Sequence, residues 1–150
     1  MYDKMTALKA SLAAFFTALS AFLGHTGLLA LVWAAVMALD YLSGSFAAAK
    51  AGQWSSAQAR EGLWHKAGMI LAVACAALAD IAMTELCAHL GDKLGFSWPV
   101  VIVPLVLAWY ILTELGSILE NAVKLGAKVP QWLLKLLKAG LSAVDATAGK

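Results

Sequence analysis

The stretch LGFSWPVVIVPLVLAWYILT, residues 94–113, carries no charged side chain. A helix needs roughly 20 mostly apolar residues to cross the hydrocarbon core of a membrane, so this stretch is long enough to span one. Residues 10–39 and 67–79 are also free of charge, which predicts an all-α integral membrane protein with three strong transmembrane helices. The predicted spans are residues 28–49, 67–88 and 98–121.

The composition agrees with lipid as the main surroundings of the chain. Of its 150 residues, 62% are hydrophobic and 13% are charged, whereas a soluble domain has about 45–50% apolar and about 25% charged residues. Polar side chains are too few to cover a soluble exterior, so an ordinary water-soluble protein is excluded. The net charge of +2 comes from 11 scattered cations, which excludes a nucleic-acid-binding surface.

Short polar segments separate the predicted spans. Glycines and clustered polar residues interrupt helices and favour water, so we expect connections at residues 24–27, 50–66 and 91–93. The sequence contains no internal repeat and no flexible linker. We therefore treat residues 1–150 as a single membrane domain.

Residues 5–23 leave two alternatives open. Their large apolar side chains recur every three or four residues, and Thr, Ser, Ala and Lys occupy the opposite face, which is typical of an amphipathic helix. Such a helix lies on the membrane surface or crosses the membrane as a fourth span. Its uncharged part, residues 10–23, is of borderline length for crossing.

A second amphipathic helix is predicted at residues 131–143, after Pro130. Four leucines share one face with Trp132 beside them, and Lys135 and Lys138 lie on the opposite face. A basic amphipathic helix next to a membrane rests on the anionic cytoplasmic leaflet. We predict that Trp132, Lys135 and Lys138 contact the membrane surface. The alternative is a helix packed on the rest of the protein.

The distribution of cations predicts the orientation of the chain. Lys50, Arg60 and Lys66 precede the second span and five lysines follow the third, whereas the connection between these spans has only Lys93. Positive residues accumulate on the cytoplasmic side of a membrane. We therefore expect a multi-pass protein whose C-terminus is cytoplasmic.

Each predicted span contains a carboxylate: Asp40, Asp80 or Glu114. A charged side chain at the centre of a membrane costs about 2.5–3.5 kcal/mol on insertion scales, so such groups should face protein or water. The carboxylates either lock one protomer internally, or they lie between copies and become hydrated. The sequence leaves both alternatives open.

Small residues accompany the carboxylate of the second span. Gly68, Ala72 and Ala76 recur every fourth residue, and small residues let helix backbones approach closely in lipid. We predict that these three residues form a helix-packing ridge through which copies of the chain associate.

Catalytic and metal-binding patterns are absent from the sequence. No HExxH, CxxC, GxSxG, P-loop or GxGxxG motif occurs. Cys75 and Cys87 would lie about 18 Å apart on one helix, too far apart for a disulfide. We therefore expect neither an enzyme nor a cofactor.

Three stretches of the chain, taken together, resemble a known family. DYLSG at residues 40–44 closes the first span, Gly62-Leu63 with Lys66 leads into the second, and YILTELGSILENA at residues 110–122 ends the third. In this combination the chain resembles the toxin-secretion/phage-lysis holin family over roughly residues 28–138. The matching signature positions are Asp40, Tyr41, Gly44, Glu114, Ser117, Glu120 and Asn121.

The resemblance implies a small phage-type protein of the bacterial cytoplasmic membrane. Holins of this family accumulate and then assemble into lesions through which an endolysin or a large toxin leaves the cytoplasm. The implied partners are the lipid bilayer and other copies of the chain, without obligatory contact with the endolysin or toxin. The signature positions and Asp80 are therefore candidates for oligomerisation contacts or for the pore lining.

Two other classes of function compete with this hypothesis. A small ion or drug transporter would use the intramembrane carboxylates as a proton relay, although the chain lacks internal repeats. A membrane anchor would recruit a soluble partner through its basic tail, and would leave the carboxylates unexplained. Release of a large cytosolic protein on expression separates the holin hypothesis from both.

Overall fold

The computed structural model describes the backbone of residues 2–148 and the side chains of residues 6, 14, 17, 24–90 and 95–148. This part of the chain consists of helices and connections, without strands. Three segments, Gly24–Lys50, Ser56–Leu90 and Ile102–Leu125, are long and apolar enough to cross a membrane. The predicted all-α fold with three strong spans is confirmed. The helices are α1 (Tyr2–Lys50), α2 (Ser56–Leu94), α3 (Ile102–Leu125) and α4 (Gln131–Ala148).

α1 is broken at Gly24. The φ of 69° and ψ of 176° at this residue are not helical, and they lie in a region of backbone conformation that is essentially restricted to glycine. The break falls within the predicted connection at residues 24–27. Most side chains of residues 5–23 lie outside the described residues, so both alternatives for this segment stay predictions.

α2 begins earlier than the sequence predicts. The predicted connection at residues 50–66 is wrong in its second part, because only residues 51–55 are non-helical. The hydroxyl of Ser55 accepts the backbone N–H of Gln58 at 3.2 Å and so caps the start of the helix. Polar residues do not interrupt a helix whose start is capped and whose first turns contain alanine.

The connection between α2 and α3 is also displaced along the chain. α2 continues through residues 91–93, and the left-handed Gly95 (φ 60°) follows its last turn. α3 begins at Ile102, four residues after the start of the predicted span, because Pro99 disfavours a helical conformation of the residue before it. Pro104 fits in the first turn, where its missing N–H has no intrahelical partner to lose.

α3 lies at the centre of the fold and packs against α1, α2 and α4, whereas α1 and α2 contact each other little. α1 and α3 run in the same direction. The ring of Trp33 stacks on that of Tyr110 with 6.1 Å between centroids, and further along both helices Lys50 Nζ donates to the carbonyl of Leu125 at 2.6 Å. α2 runs antiparallel to both, as three successive spans require.

The apolar core lies where the three spans meet. Its centre is Leu107 of α3, which is fully buried. Between spans surrounded by lipid, close van der Waals packing of the core side chains stabilises the contact. The other buried members of the core are Trp33, Val36, Met69, Ala76 and Val103.

α4 turns back along α3. A Cβ atom at Gly140 would lie 3.2 Å from Leu112 Cδ1, and the indole N–H of Trp109 donates to Asp145 Oδ1 at 3.0 Å. Because later residues of α4 contact earlier residues of α3, the two helices are antiparallel. The last turn of α4 therefore lies nearer to the beginning of α3 than to its end.

The sequence predicts that residues 131–143 either rest on the membrane surface or pack on the rest of the protein. In the structure they belong to α4, which packs on α3. Trp132, Lys135 and Lys138 are exposed on the side that faces away from α3. Their contact with the membrane surface stays a prediction.

Candidate functional site

An ion cluster joins the three predicted spans. Lys66 Nζ of α2 donates to Asp40 Oδ2 of α1 at 3.0 Å and to Glu114 Oε2 of α3 at 2.5 Å. The side chains of Lys66, Asp40 and Glu114 are only 13%, 17% and 5% exposed. Opposite charges at these distances attract strongly where water is largely excluded. Because each span contributes one member, the cluster holds α1, α2 and α3 together at one level.

Asn121 extends the cluster along α3. Its amide Nδ2 donates to Asp40 Oδ1 at 3.2 Å and to the hydroxyl of Ser43 at 3.1 Å. Both carboxylate oxygens of Asp40 therefore accept hydrogen bonds. A Cβ atom at Gly44 would lie 3.5 Å from Asn121 Nδ2, so a larger side chain at Gly44 would displace the amide.

The two motifs that carry the family resemblance thus meet in the folded chain. Glu114, Ser117 and Asn121 follow the spacing of one helical face, and this face of α3 is turned towards the DYLSG segment of α1. The ring of Tyr41 lies 3.9 Å from a Cβ atom placed at Gly62 of α2. Of the signature positions, only Glu120 lies outside this contact region, because it is exposed on α3.

Sequence reasoning missed Lys66 as a member of the site, because it counted this residue among the cations of a connection. The sequence nevertheless contains a feature that points to Lys66. Three carboxylates in apolar spans need a counter-charge, and Lys66 directly precedes the uncharged stretch at residues 67–79. The early start of α2 at Ser56 places Lys66 inside a helix, where its side chain can reach both α1 and α3.

A cavity of about 380 Å³ lies beside the cluster, between α1 and α2. It extends from the connection between these helices, at Trp54 and Ser55, to Asp40 and Lys66. The cavity separates α1 from α2 at this level, in agreement with the few contacts between these two helices. Further lining residues are Gly44, Ala48, Ala59, Gly62, Ser117 and Asn121.

The cavity does not continue through the described part of the protomer. Trp33 and Val36 of α1 and Leu107 of α3 are buried between the helices on the other side of the cluster. Close-packed apolar side chains leave no room for water or ions. The cluster is therefore accessible from one side and sealed from the other.

Asp80 does not belong to the ion cluster and instead binds the beginning of α3. Its Oδ1 accepts the indole N–H of Trp98 at 2.9 Å and the backbone N–H groups of Val101 and Ile102 at 3.2 Å each, and its Oδ2 accepts that of Val103 at 2.8 Å. The first N–H groups of a helix have no intrahelical acceptor, and α3 has no side-chain cap of its own. Asp80, only 2% exposed, therefore caps α3 from the neighbouring helix, where a negative charge is also favoured by the helix dipole.

The three small residues of the predicted ridge on α2 differ in how deeply they are buried. Ala76 is buried in the core, Ala72 is half-buried, and Gly68 is exposed with no atom within 4 Å of a Cβ placed there. Ala76 therefore packs within the protomer. Association of copies along this ridge stays a prediction, and Gly68 is its most open position.

The chemistry available at this site is charge pairing. Among the described residues, no group of three or more His, Cys, Asp or Glu side chains is placed to hold a metal ion. The cluster can keep three charged groups inside a membrane while they are paired. It can also release them if water enters, because water stabilises separated charges.

Three apolar helices joined by a buried ion cluster define a multi-pass membrane protein. The model of the bacteriophage holin family matches residues 17–140. The chain therefore belongs to the bacteriophage holin family, and the predicted resemblance is confirmed. This family consists of non-enzymatic, pore-forming membrane proteins.

Two bacterial proteins are similar to this chain over most of its length. One is an uncharacterized protein of Listeria monocytogenes and the other an uncharacterized protein of Listeria innocua. Each is 31% identical over 114 residues, which cover 76% of this chain and 72% of the relative. No solved structure matches the chain.

Replacing Lys66 by methionine is expected to lower the free energy of unfolding by about 3–5 kcal/mol, because two carboxylates then stay buried without a cation. Denaturant titration in detergent micelles, followed by the helical signal, measures this change. The control is Lys124→Met on the exposed end of α3, with an expected change within about 0.5 kcal/mol. The triple variant Asp40→Asn, Lys66→Met, Glu114→Gln should recover part of the loss. Unchanged stability of Lys66→Met would contradict a buried cluster.

Removal of the carboxylate of Asp80 should loosen the start of α3. We expect Asp80→Ala to lower the free energy of unfolding by about 2–4 kcal/mol, because it removes a cap and leaves several N–H groups unpaired. Amide hydrogen exchange of residues 101–103 should accelerate specifically. Glu85→Ala, on an exposed position of the same helix, is the matched control. Equal exchange rates in both variants would show that Asp80 does not cap α3.

Proposed function

We propose that this protein is a holin that oligomerises in the bacterial cytoplasmic membrane and opens lesions there. Through these lesions an endolysin or another large cytosolic protein leaves the cell. The partners are further copies of the chain and the lipid bilayer, and the released protein needs no direct contact with the holin. The chain itself catalyses no reaction.

The observation that carries this proposal is the closed protomer. The ion cluster fills the space between the spans at one level, and the apolar core seals it beyond that level. A passage for a folded protein therefore has to form between copies. Lateral association depends on concentration by mass action, so accumulation of closed protomers followed by abrupt opening needs no ligand.

We assign Asp40, Lys66 and Glu114 the role of a latch that keeps each protomer closed. While the three charges are paired, Asp40 and Glu114 are turned inward and the three spans are compatible with lipid at this level. Water that enters the adjoining cavity weakens the attraction between the charges. Tyr41, Gly44 and Asn121 are proposed to support the latch by the contacts described above, and Ser117 lines the adjoining cavity.

A second candidate function is supported by the cavity. It gives the Asp40–Lys66 pair access to one side of the membrane, which is one half of what a proton or ion transporter requires. The apolar seal formed by Trp33, Val36 and Leu107 would have to open for transport. The two functions differ in what crosses the membrane: a folded protein for the holin, and only protons or ions for the transporter.

The test is expression in bacterial cells that contain a folded cytosolic reporter enzyme, with membrane potential and external reporter activity recorded together. We expect the potential to collapse and the reporter to appear outside. Loss of potential with the reporter retained would favour the transporter. An intact potential with the protein inserted would contradict both functions.

The same cells test the latch. Glu114→Gln and Asp40→Asn weaken the pairing with Lys66, so the potential should collapse earlier than in the wild type at matched protein levels. Glu85→Gln, exposed on α2, is the control and should leave the time of onset unchanged. A later onset in the first two variants would instead place the carboxylates in the lumen of the lesion, and an unaltered onset would leave them a purely structural role.

We further propose that the connection between α1 and α2 and the start of α4 face the cytoplasm. Lys66 belongs to the cluster, yet Lys50, Arg60, Lys124 and Lys128 still outnumber Lys93 on the opposite side.

Thiol labelling of intact cells before lysis tests this orientation in a background without Cys75 and Cys87. An impermeant reagent should modify Ser97→Cys, in the exposed connection between α2 and α3, but not Gln58→Cys. Labelling of both positions after the cells are opened is the control for reactivity. The reverse pattern in intact cells would invert the orientation.

A further inference from the structure

α4 lies at the depth of the membrane-spanning part of α3. Its contacts with α3 are Gly140 against Leu112 and Asp145 against Trp109. Leu112 is ten residues into α3, about 15 Å from its start along an axis of about 36 Å. If α3 crosses the membrane, the middle of α4 lies near the centre of the hydrocarbon.

α4 has three distinct sides at this depth. The side towards α3 is apolar and half-buried, with Leu133, Leu137 and Leu141. The two remaining sides are exposed and differ in chemistry. One is apolar and consists of Trp132, Leu136, Ala139 and Ala143, and the other is polar and consists of Lys135, Lys138, Ser142 and Asp145.

The polar side is unfavourable in contact with lipid. Charged side chains inside the hydrocarbon face protein or a water-filled cavity, and no other described helix covers this side of α4. It continues onto α3, where Trp109, Thr113 and Glu120 recur on one exposed face and Trp109 contacts Asp145. The exposed apolar side of α4 is, by contrast, suited to lipid.

In the closed protomer the intramembrane carboxylates do not contribute to an exposed polar wall. Asp40 and Glu114 are paired with Lys66, and Asp80 caps α3. Each of these groups faces inward in the protomer. Among the residues whose side chains the structure describes, the exposed polar surface at this depth is therefore that of α4 and the adjoining face of α3.

We propose that α4, docked on α3, forms the water-facing wall of the lesion, with Lys138, Ser142 and Asp145 of α4 and Thr113 and Glu120 of α3 turned towards the lumen. This inference rests on the proposed holin function and names the lining of its pore. Trp132 and Leu136 then border the surrounding lipid. Because the wall combines lysines with carboxylates, it offers no strong charge barrier to a folded protein.

The first test asks whether α4 is docked on α3 in the membrane. In a background without Cys75 and Cys87, the pair Leu112→Cys with Gly140→Cys should form a disulfide within one chain on mild oxidation. The matched control, Leu112→Cys with Leu136→Cys, should not, because Leu136 points away from α3. Cells carrying the first disulfide should still lose their membrane potential. Absence of that disulfide, or opening only after its reduction, would overturn the proposal.

The second test asks which side of α4 meets water once lesions have formed. Only a hydrated thiol ionises and reacts readily, so Ser142→Cys should react with a water-soluble thiol reagent at least about tenfold faster than Ala143→Cys. The two positions are consecutive and lie about 100° apart around the helix axis. Equal fast rates would indicate a helix on the membrane surface, and equal slow rates would indicate a contact between copies. Either result would overturn the proposal.

These tests are separable from the test of the holin function. If the reporter enzyme is released while either cysteine test fails, the protein is a holin whose lumen is lined by another surface. If the reporter enzyme is retained in the cells, the proposed holin function is contradicted.

Discussion

The ammonium group of Lys66 between the carboxylates of Asp40 and Glu114 is the interaction on which the arrangement of the three spans depends. Each charge alone would be unfavourable inside a membrane, and together they compensate one another. Lipid supplies no hydrophobic force between apolar helices. The cluster therefore provides both the attraction between α1, α2 and α3 and the relative register at which they pack.

The remaining polar contacts follow from this register. With Asp40 and Glu114 at one level, Asn121 reaches Asp40 and Ser43, and the smallness of Gly44 leaves room for its amide. At the other end of α2, Asp80 meets the first N–H groups of α3 and caps them. Asp40, Asp80 and Glu114 are thus all paired or hydrogen-bonded inside the protomer. These three carboxylates therefore do not prevent the spans from residing in lipid before any assembly takes place.

The closed protomer is the unit from which we propose that the open assembly forms. The cluster lies between a polar cavity and an apolar seal, so it is sensitive to water from one side and insulated from the other. α4 adds a surface that neither the cluster nor the core uses. In the proposed lesion, the α4 helices of neighbouring copies, each docked along α3, form a common polar wall.

The sequence by itself determined the all-α membrane fold, the approximate positions of the spans and the family, because these depend on composition, on uncharged stretches of sufficient length and on two local motifs. It also placed a carboxylate in each span, but not the partner of any of them. Only the tertiary structure decided that Lys66 pairs with Asp40 and Glu114, that Asp80 caps α3, and that residues 131–143 pack on α3. These outcomes depend on where α2 and α3 begin and on which faces meet, and a difference of a few residues in a helix boundary changes the depth and direction of every side chain that follows.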